Sequence, residues 1–128
     1  MNPPDIFHRA RRRVRRDRAA PGFADFAFIR DWMLEGIAER LDAVRREFTD
    51  VLDLGCFDGG FVPQPGGRVT RLDAGARFAA LADGVQGDED QPHFPDASFD
   101  LIVSAGVLDS VNDLPGALAL ARRALRPD

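Results

Sequence analysis

A chain of 128 residues with 45% hydrophobic and 30% charged residues has the size and composition of one globular domain. A net charge of −4 gives no overall attraction to nucleic acid or to an anionic membrane, and all 17 basic residues are arginine. The single cysteine, Cys56, excludes an internal disulfide, one cysteine with two separated histidines makes no zinc set, and no apolar run reaches the roughly 18 residues of a membrane span. The N-terminus lacks the apolar core of a secretory signal, and Asp5, Asp17 and the prolines argue against a transit peptide, so the expected location is cytoplasmic.

Residues 1–20, MNPPDIFHRARRRVRRDRAA, form an arginine-rich N-terminal arm with seven arginines between Arg9 and Arg18. Their spacing winds around all sides of a helix rather than forming one stripe, which predicts a solvated helix or a loose arm. Contact with phosphates, or docking onto a partner or the domain's own acidic surface, are the alternatives. Pro21-Gly22 breaks the chain and opens the second unit, 21–128. From about Asp25 to Phe48, Phe26, Ile29, Met33, Ile37, Leu41, Val44 and Phe48 recur every three or four positions, the period of an amphipathic helix, with Trp32 and Leu34 widening the apolar stripe.

The period then changes. Asp50 to Leu54 and Arg68 to Asp73 read as strands, separated by a loop whose Pro63 and Pro65 permit about one helical turn. Ala74 to Ala82 reads as a short helix, Val85 to Gly87 as a weak strand and Phe99 to Ser104 as a clear one. A last helix starts at the capping Asp113, with Pro115 in its first turn and Leu114, Leu118, Ala121 and Leu125 as its apolar positions. Strands alternating with helices imply βαβ units: an α/β fold with a mainly parallel sheet of about four strands and helices on both faces.

In such sheets ligands bind beyond the carboxyl ends of the strands. That rule selects Asp53, Asp73, Asp88 and Ser104. Asp73 lies 20 residues past Asp53, where a carboxylate can accept from a ribose diol, and a further acid at the next strand end can accept from an adenine amino group. One aspartate after a strand reads equally as a turn or cap residue. Their coincidence at successive strand ends, with the glycine cluster of VLDLGCFDGG at the first, is what points to an adenosine group.

VLDLGCFDGG, RLDAGARF, GDEDQPHFPDASFDLIVS and VNDLPGALALARRALRPD, in this order and spacing, resemble class I S-adenosylmethionine-dependent methyltransferases. The likeness is greatest to the branch holding the malonyl-carrier-protein methyltransferase of biotin synthesis and the complex I assembly methyltransferase-like proteins. The segment PPDIFHRARRRVRRDRAA is similar to the start of the assembly-factor group, so the likeness spans nearly the whole chain. It implies a Rossmann-like class I methyltransferase fold, S-adenosylmethionine as cofactor and an unidentified methyl acceptor.

Carried over by the same resemblance, Asp53, Gly55 and Gly59 lie where the backbone approaches the methionine part of the cofactor, and Cys56 takes a small packing position in that loop. Asp73 matches the ribose-binding acid, and Asp88 with the backbone at Glu89 matches the adenine contact. Ser104 stands where the fourth strand faces the methionine and substrate. No catalytic residue is assigned; Asp109, past that strand, is the one acid considered as a base. Asp109 and Ser110 replace a common His-Trp pair, and His93 replaces a common loop proline.

Three departures bear on activity. Phe57 stands where the family has glycine, so it either takes a strained left-handed backbone or turns outward. The helix after this loop is cut short by prolines. The sequence ends at Arg126-Pro127-Asp128, where the family, with strand order 3-2-1-4-5-7-6, continues into a fifth strand. An incomplete sheet would leave strand 4 as an open edge, from which self-association through FDLIVS or a fragment of a longer product is expected. The alternatives to a methyltransferase are a catalytically weak or inactive assembly or interaction protein and, more weakly, an RNA-modifying enzyme using the arm. The loop lacks the full G-x-G-x-x-G of a dehydrogenase.

Overall fold

The computed structural model describes residues 5–44, 46–91 and 94–127, so His93 lies outside the described residues. Helix α1 (Arg9–Ala19) leads through a 3₁₀ segment (Ala20–Phe26) into α2 (Phe28–Ala43). Then follow β1 (Asp50–Leu54), β2 (Arg68–Asp73), α3 (Ala76–Leu81), β3 (Val85–Gln86), β4 (Leu101–Val103), a 3₁₀ turn (Leu108–Ser110) and α4 (Leu114–Ala124). The strands form one sheet in the order β3-β2-β1-β4, every pairing parallel. All four strands therefore end on the same edge.

Side chains alternate across a strand, and both faces of β1 are buried. Leu52 and Leu54 point to one face, where Leu72, Phe99 and Ala124 of α4 close the core. Val51 points to the other, where it meets Phe61 and Val103 beneath Leu34, Ile37 and Leu41 of α2. Asp53 shares that second face by parity and is buried. The last strand is shorter than its sequence suggests. Phe99 instead bridges to Leu125, and the Asp100 carboxylate accepts from the amides of Thr49 and Asp50, fixing the entry to β1.

Three expectations change. The stripe of α2 that packs on the sheet is Leu34, Ile37 and Leu41, whereas Phe26, Ile29, Trp32 and Val44 remain exposed. In α4 the inward positions are Ala117 and Ala124; Leu114 and Leu118 face outward. Small alanines let that helix lie close on the sheet; of the expected positions Ala121 is half-buried and Leu125 packs against the core, while Leu114 and Leu118 are not part of the core face. Between β1 and β2 there is no helix at all among residues 55–67, only turns and extended chain. Among the described residues β4 is an edge strand, as expected.

Gly55 follows β1 with φ +79°, and a Cβ there would overlap the Val107 side chain, so both backbone and packing require glycine. Gly66 has nearly the same φ, +83°, with open space where its Cβ would be. The two separate strain from crowding. Gly66→Ala is expected to cost about 1–2 kcal/mol, and Gly55→Ala about 1–3 kcal/mol more, in urea unfolding at unchanged m-value. Equal losses would show that the Val107 contact is not rigid.

Candidate functional site

The parallel register brings the sequence-selected acids to one rim. Asp73, at the last position of β2, is fully buried. Its Oδ1 accepts from the Gly75 amide at 2.8 Å and its Oδ2 from the Phe57 amide at 2.9 Å, tying the loops after β1 and β2 together. Asp88, Glu89 and Asp90 follow β3 and are buried too. Residues of the arm neutralise all four. Arg16 grips Asp73 with a two-pronged contact, Nε to Oδ1 at 2.8 Å and Nη2 to Oδ2 at 2.6 Å. Arg12 holds both oxygens of Glu89, at 2.9 and 3.2 Å, Arg13 meets Asp88 at 2.7 Å, and Arg9 holds both oxygens of Asp90, at 2.6 and 2.8 Å.

The arginines of α1 therefore do form a stripe. Positions 9, 12, 13 and 16 recur at the i, i+3, i+4, i+7 spacing of one helix face. The arm is a helix solvated on its outer side, as expected, but not loose: its inner face is docked on the domain's own acidic surface. Its ends are fixed as well. His8 Nδ1 caps it by accepting from the Arg11 amide, and the Asp17 carboxylate accepts from the Arg77 amide at the start of α3. Gly75 has no side chain to collide with Arg16, whose Cβ would lie 2.9 Å from an added Cβ. Glu89 without Arg12 would be a bare buried anion, a cost of about 3–5 kcal/mol while the helix stays docked, whereas Asp73 without Arg16 would keep its two amide hydrogen bonds.

The loop after β1 is built around Phe57, which has φ +50°. Its ring is not turned outward. It stacks on Phe23 with centroids 4.7 Å apart and meets Phe78 edge-on at 5.4 Å, while the Arg16 guanidinium lies 4.3 Å from its centre. A left-handed phenylalanine costs about 1–2 kcal/mol, and stacking at about 0.5–1.5 kcal/mol together with a cation–π contact of similar size offsets it. Arg30 of α2 donates to Asp58 at 2.7 Å and holds the turn from the other side. Between α1 and the three phenylalanines runs a groove of about 400 Å³ that reaches Ser110, whose hydroxyl accepts from Arg12 Nε at 3.1 Å.

The remaining sequence-selected residues are less alike. Cys56 is buried, and burial beside Asp73 and Asp53 pushes its thiol up to about 12, which fits packing rather than nucleophilic chemistry. Gly59, at φ +87°, closes the turn. Ser104 donates to the Leu54 carbonyl at 2.8 Å and borders the α2 side, away from the groove under α1. Asp109 is exposed. The sequence reading passed over Arg12, Arg16 and Asp90 as individual site residues, and took Ser110 only as a departure from the family pattern. The clue available was the pairing of RARRRVRR with the DED run, opposite charges separated by some 75 residues.

Asp53 has no hydrogen bond to its carboxylate among the described residues, and its nearest cation, Arg71 Nε, is 3.9 Å away. That Nε is itself buried without a partner. Burial pushes the Asp53 carboxyl up to about 6, against the pull of Arg71 and Arg30. A folded pKa above the unfolded one makes ionisation destabilising. The penalty is absent below about pH 4, grows through pH 6 and is complete above it, on the order of 3 kcal/mol. Asp53→Asn is therefore expected to gain stability over the parent between pH 4 and 7 in urea titrations, with a plateau above. A difference independent of pH would contradict this.

The methyltransferase-domain family model matches residues 52–128, and the chain belongs to that family. It is 31% identical over 140 residues to the Rattus norvegicus protein named arginine-hydroxylase NDUFAF5, mitochondrial, and 31% identical over 141 residues to its Homo sapiens counterpart. Each match covers 97% of this chain but 40% of the relative, so the chain spans about two fifths of their length. Among solved structures, a Mesorhizobium loti S-adenosylmethionine-dependent methyltransferase is 30% identical at a TM-score of 0.55, over 63% of this chain and 43% of that one. The Haloferax volcanii methyltransferase chain in complex with the Trm112 activator superposes at 0.70 with 24% identity, over 88% of this chain and 56% of that one. A Burkholderia thailandensis N1-methyltransferase with bound S-adenosylhomocysteine superposes at 0.65 with 22% identity, over all of this chain and 64% of that one. The last two share the class I methyltransferase fold.

Proposed function

We propose that this chain is the cofactor-binding portion of an S-adenosylmethionine-dependent methyltransferase. The observation that carries the reading is the convergence of Asp53, Asp73, Asp88 and Glu89 on one rim beside the left-handed Gly55–Gly59 loop. Carboxylates accept and do not donate, which suits a ribose diol at Asp73 and an adenine amino group at Asp88. The resemblance places Gly55 beside the methionine part, although Val107 fills the space where its Cβ would be, and the Phe57 and Phe78 rings offer apolar faces along the groove. The cofactor, when bound, supplies an electrophilic methyl group on a sulfonium. The chain's own part is to position and desolvate, and no covalent enzyme intermediate is needed.

The acceptor belongs to the proposal only as a class, a small molecule or protein that attacks in line, and Asp109 remains the candidate base because it is exposed just past β4. Self-association along the free side of β4 is the partner reading that its edge position favours. An RNA substrate is disfavoured, since four of the arm's seven arginines are spent on the domain's own acids. Among the described residues no helix is long and apolar enough to cross a membrane. A cytoplasmic location is part of the same proposal, although the curated relatives are mitochondrial by name.

A second reading, an assembly or interaction protein without methyl transfer, is favoured by one observation. The relatives are named as arginine hydroxylases, and this rim holds four guanidinium groups, as a surface for arginine-bearing protein segments would. Calorimetry separates the two. S-adenosylhomocysteine is expected to bind the parent with a dissociation constant below about 1 mM, and Asp73→Ala to weaken it about tenfold through loss of charge-assisted hydrogen bonds. Absence of binding by S-adenosylmethionine and S-adenosylhomocysteine at millimolar concentration would retire the methyltransferase reading.

A further inference from the structure

We infer that α1 is a cationic latch over the nucleoside site: its arginines and an adenosine group compete for the same carboxylate oxygens, and the ligand enters only when the helix lifts. The inference rests on the reading of Asp73, Asp88 and Glu89 as the adenosine-binding acids. It adds that in this chain those acids are satisfied internally.

Asp73 makes the competition plain. Two of its hydrogen bonds come from the Phe57 and Gly75 amides, which belong to the sheet-edge loops and stay with the domain. The other two come from Arg16, so the positions a ribose diol would use are taken by its guanidinium fork. Arg12 does the same on both oxygens of Glu89. The Arg16 guanidinium also lies 4.3 Å from the Phe57 ring centre and 5.2 Å from that of Phe78, covering aromatic surface that a planar ligand group would stack on.

The helix is built to be released. It buries none of its residues, so little apolar area holds it down. Its attachment is ionic, through side chains whose arginine members are 12% to 44% exposed. The outer pairs, through Arg9 and Arg13, weaken as salt screens them, while Arg12 and Arg16, at 13% and 12% exposure, are screened less. Behind it lie the buried Ala20 and the Pro21-Gly22 step of the 3₁₀ segment, an anchored foot from which the helix can swing. Where the competent form is a minor population, apparent affinity falls by that fraction.

This gives an unusual sign. A zwitterionic nucleoside held by acids alone gains nothing from added salt, whereas a salt-weakened latch makes it bind more tightly. Titrate S-adenosylhomocysteine by calorimetry into the parent chain at 50 and 500 mM NaCl, and into the Arg12→Ala/Arg16→Ala double variant. Arg18→Ala, an exposed position of the same helix with no ion pair among the described residues, controls for loss of an arginine outside the contact. The expected result is several-fold tighter binding by the parent at high salt, and binding by the double variant at 50 mM about tenfold tighter than the parent. Arg18→Ala is expected to match the parent. If the ligand binds but affinity falls or stays flat with salt, and the double variant gains nothing, the latch is wrong and the cofactor reading stands. If no chain binds, the cofactor reading falls and the latch with it. Should the double variant fail to fold by circular dichroism, the salt series on the parent decides alone.

Discussion

Everything at the working edge of this domain depends on neutralising a buried row of carboxylates. A parallel sheet sends the ends of β1, β2 and β3 to one side, and this sequence puts acid within two residues of each end. The resulting charge is uneven. The first twenty residues carry seven arginines and two aspartates, or +5; with −4 overall, the rest of the chain carries −9. Asp73 and Glu89 are fully buried, so water cannot supply their counter-charge. Arg16 and Arg12 do, and by doing so they give α1 its place. The same contact explains why Phe57 is tolerated: its strained backbone carries a ring that seats Arg16.

Much of the scaffold was legible in the sequence. Asp50–Leu54 and Arg68–Asp73 match their predicted bounds, because short apolar runs flanked by glycine and proline leave little choice. Asp113 caps α4 as its position suggested, accepting from the Gly116 amide. The helix faces were less legible. Period alone does not say which side of an apolar helix meets the core: α2 uses Leu34, Ile37 and Leu41 and leaves Trp32 outside, and α4 uses its alanines. The arm is hard to read for a related reason. Counting all seven arginines hid the four-residue face that matters, since a helix with charge on every side still presents one side to its partner.

The loop after β1 shows how the pattern of a family can be kept while its parts change. The crossover to β2 has no helix, so no helix N-terminus points at the rim from this position. What remains is geometry made by Gly55, Gly59 and the Asp73 side chain, which binds the Phe57 amide directly. A cluster of three phenylalanines, one from the 3₁₀ segment, one from the loop and one from α3, stands against the groove. The groove is therefore lined by cations on the arm side and by aromatic carbon on the domain side.

An ionic contact holds the arm to the rim in the folded chain. Hydrogen exchange measured amide by amide reads this without any ligand. At low salt the amides of residues 13–19 should be protected well above an unstructured peptide, and that protection should fall at 1 M NaCl while the amides of β1 and β2 remain protected. An arm that exchanges freely at low salt, or one whose protection ignores salt, would contradict it.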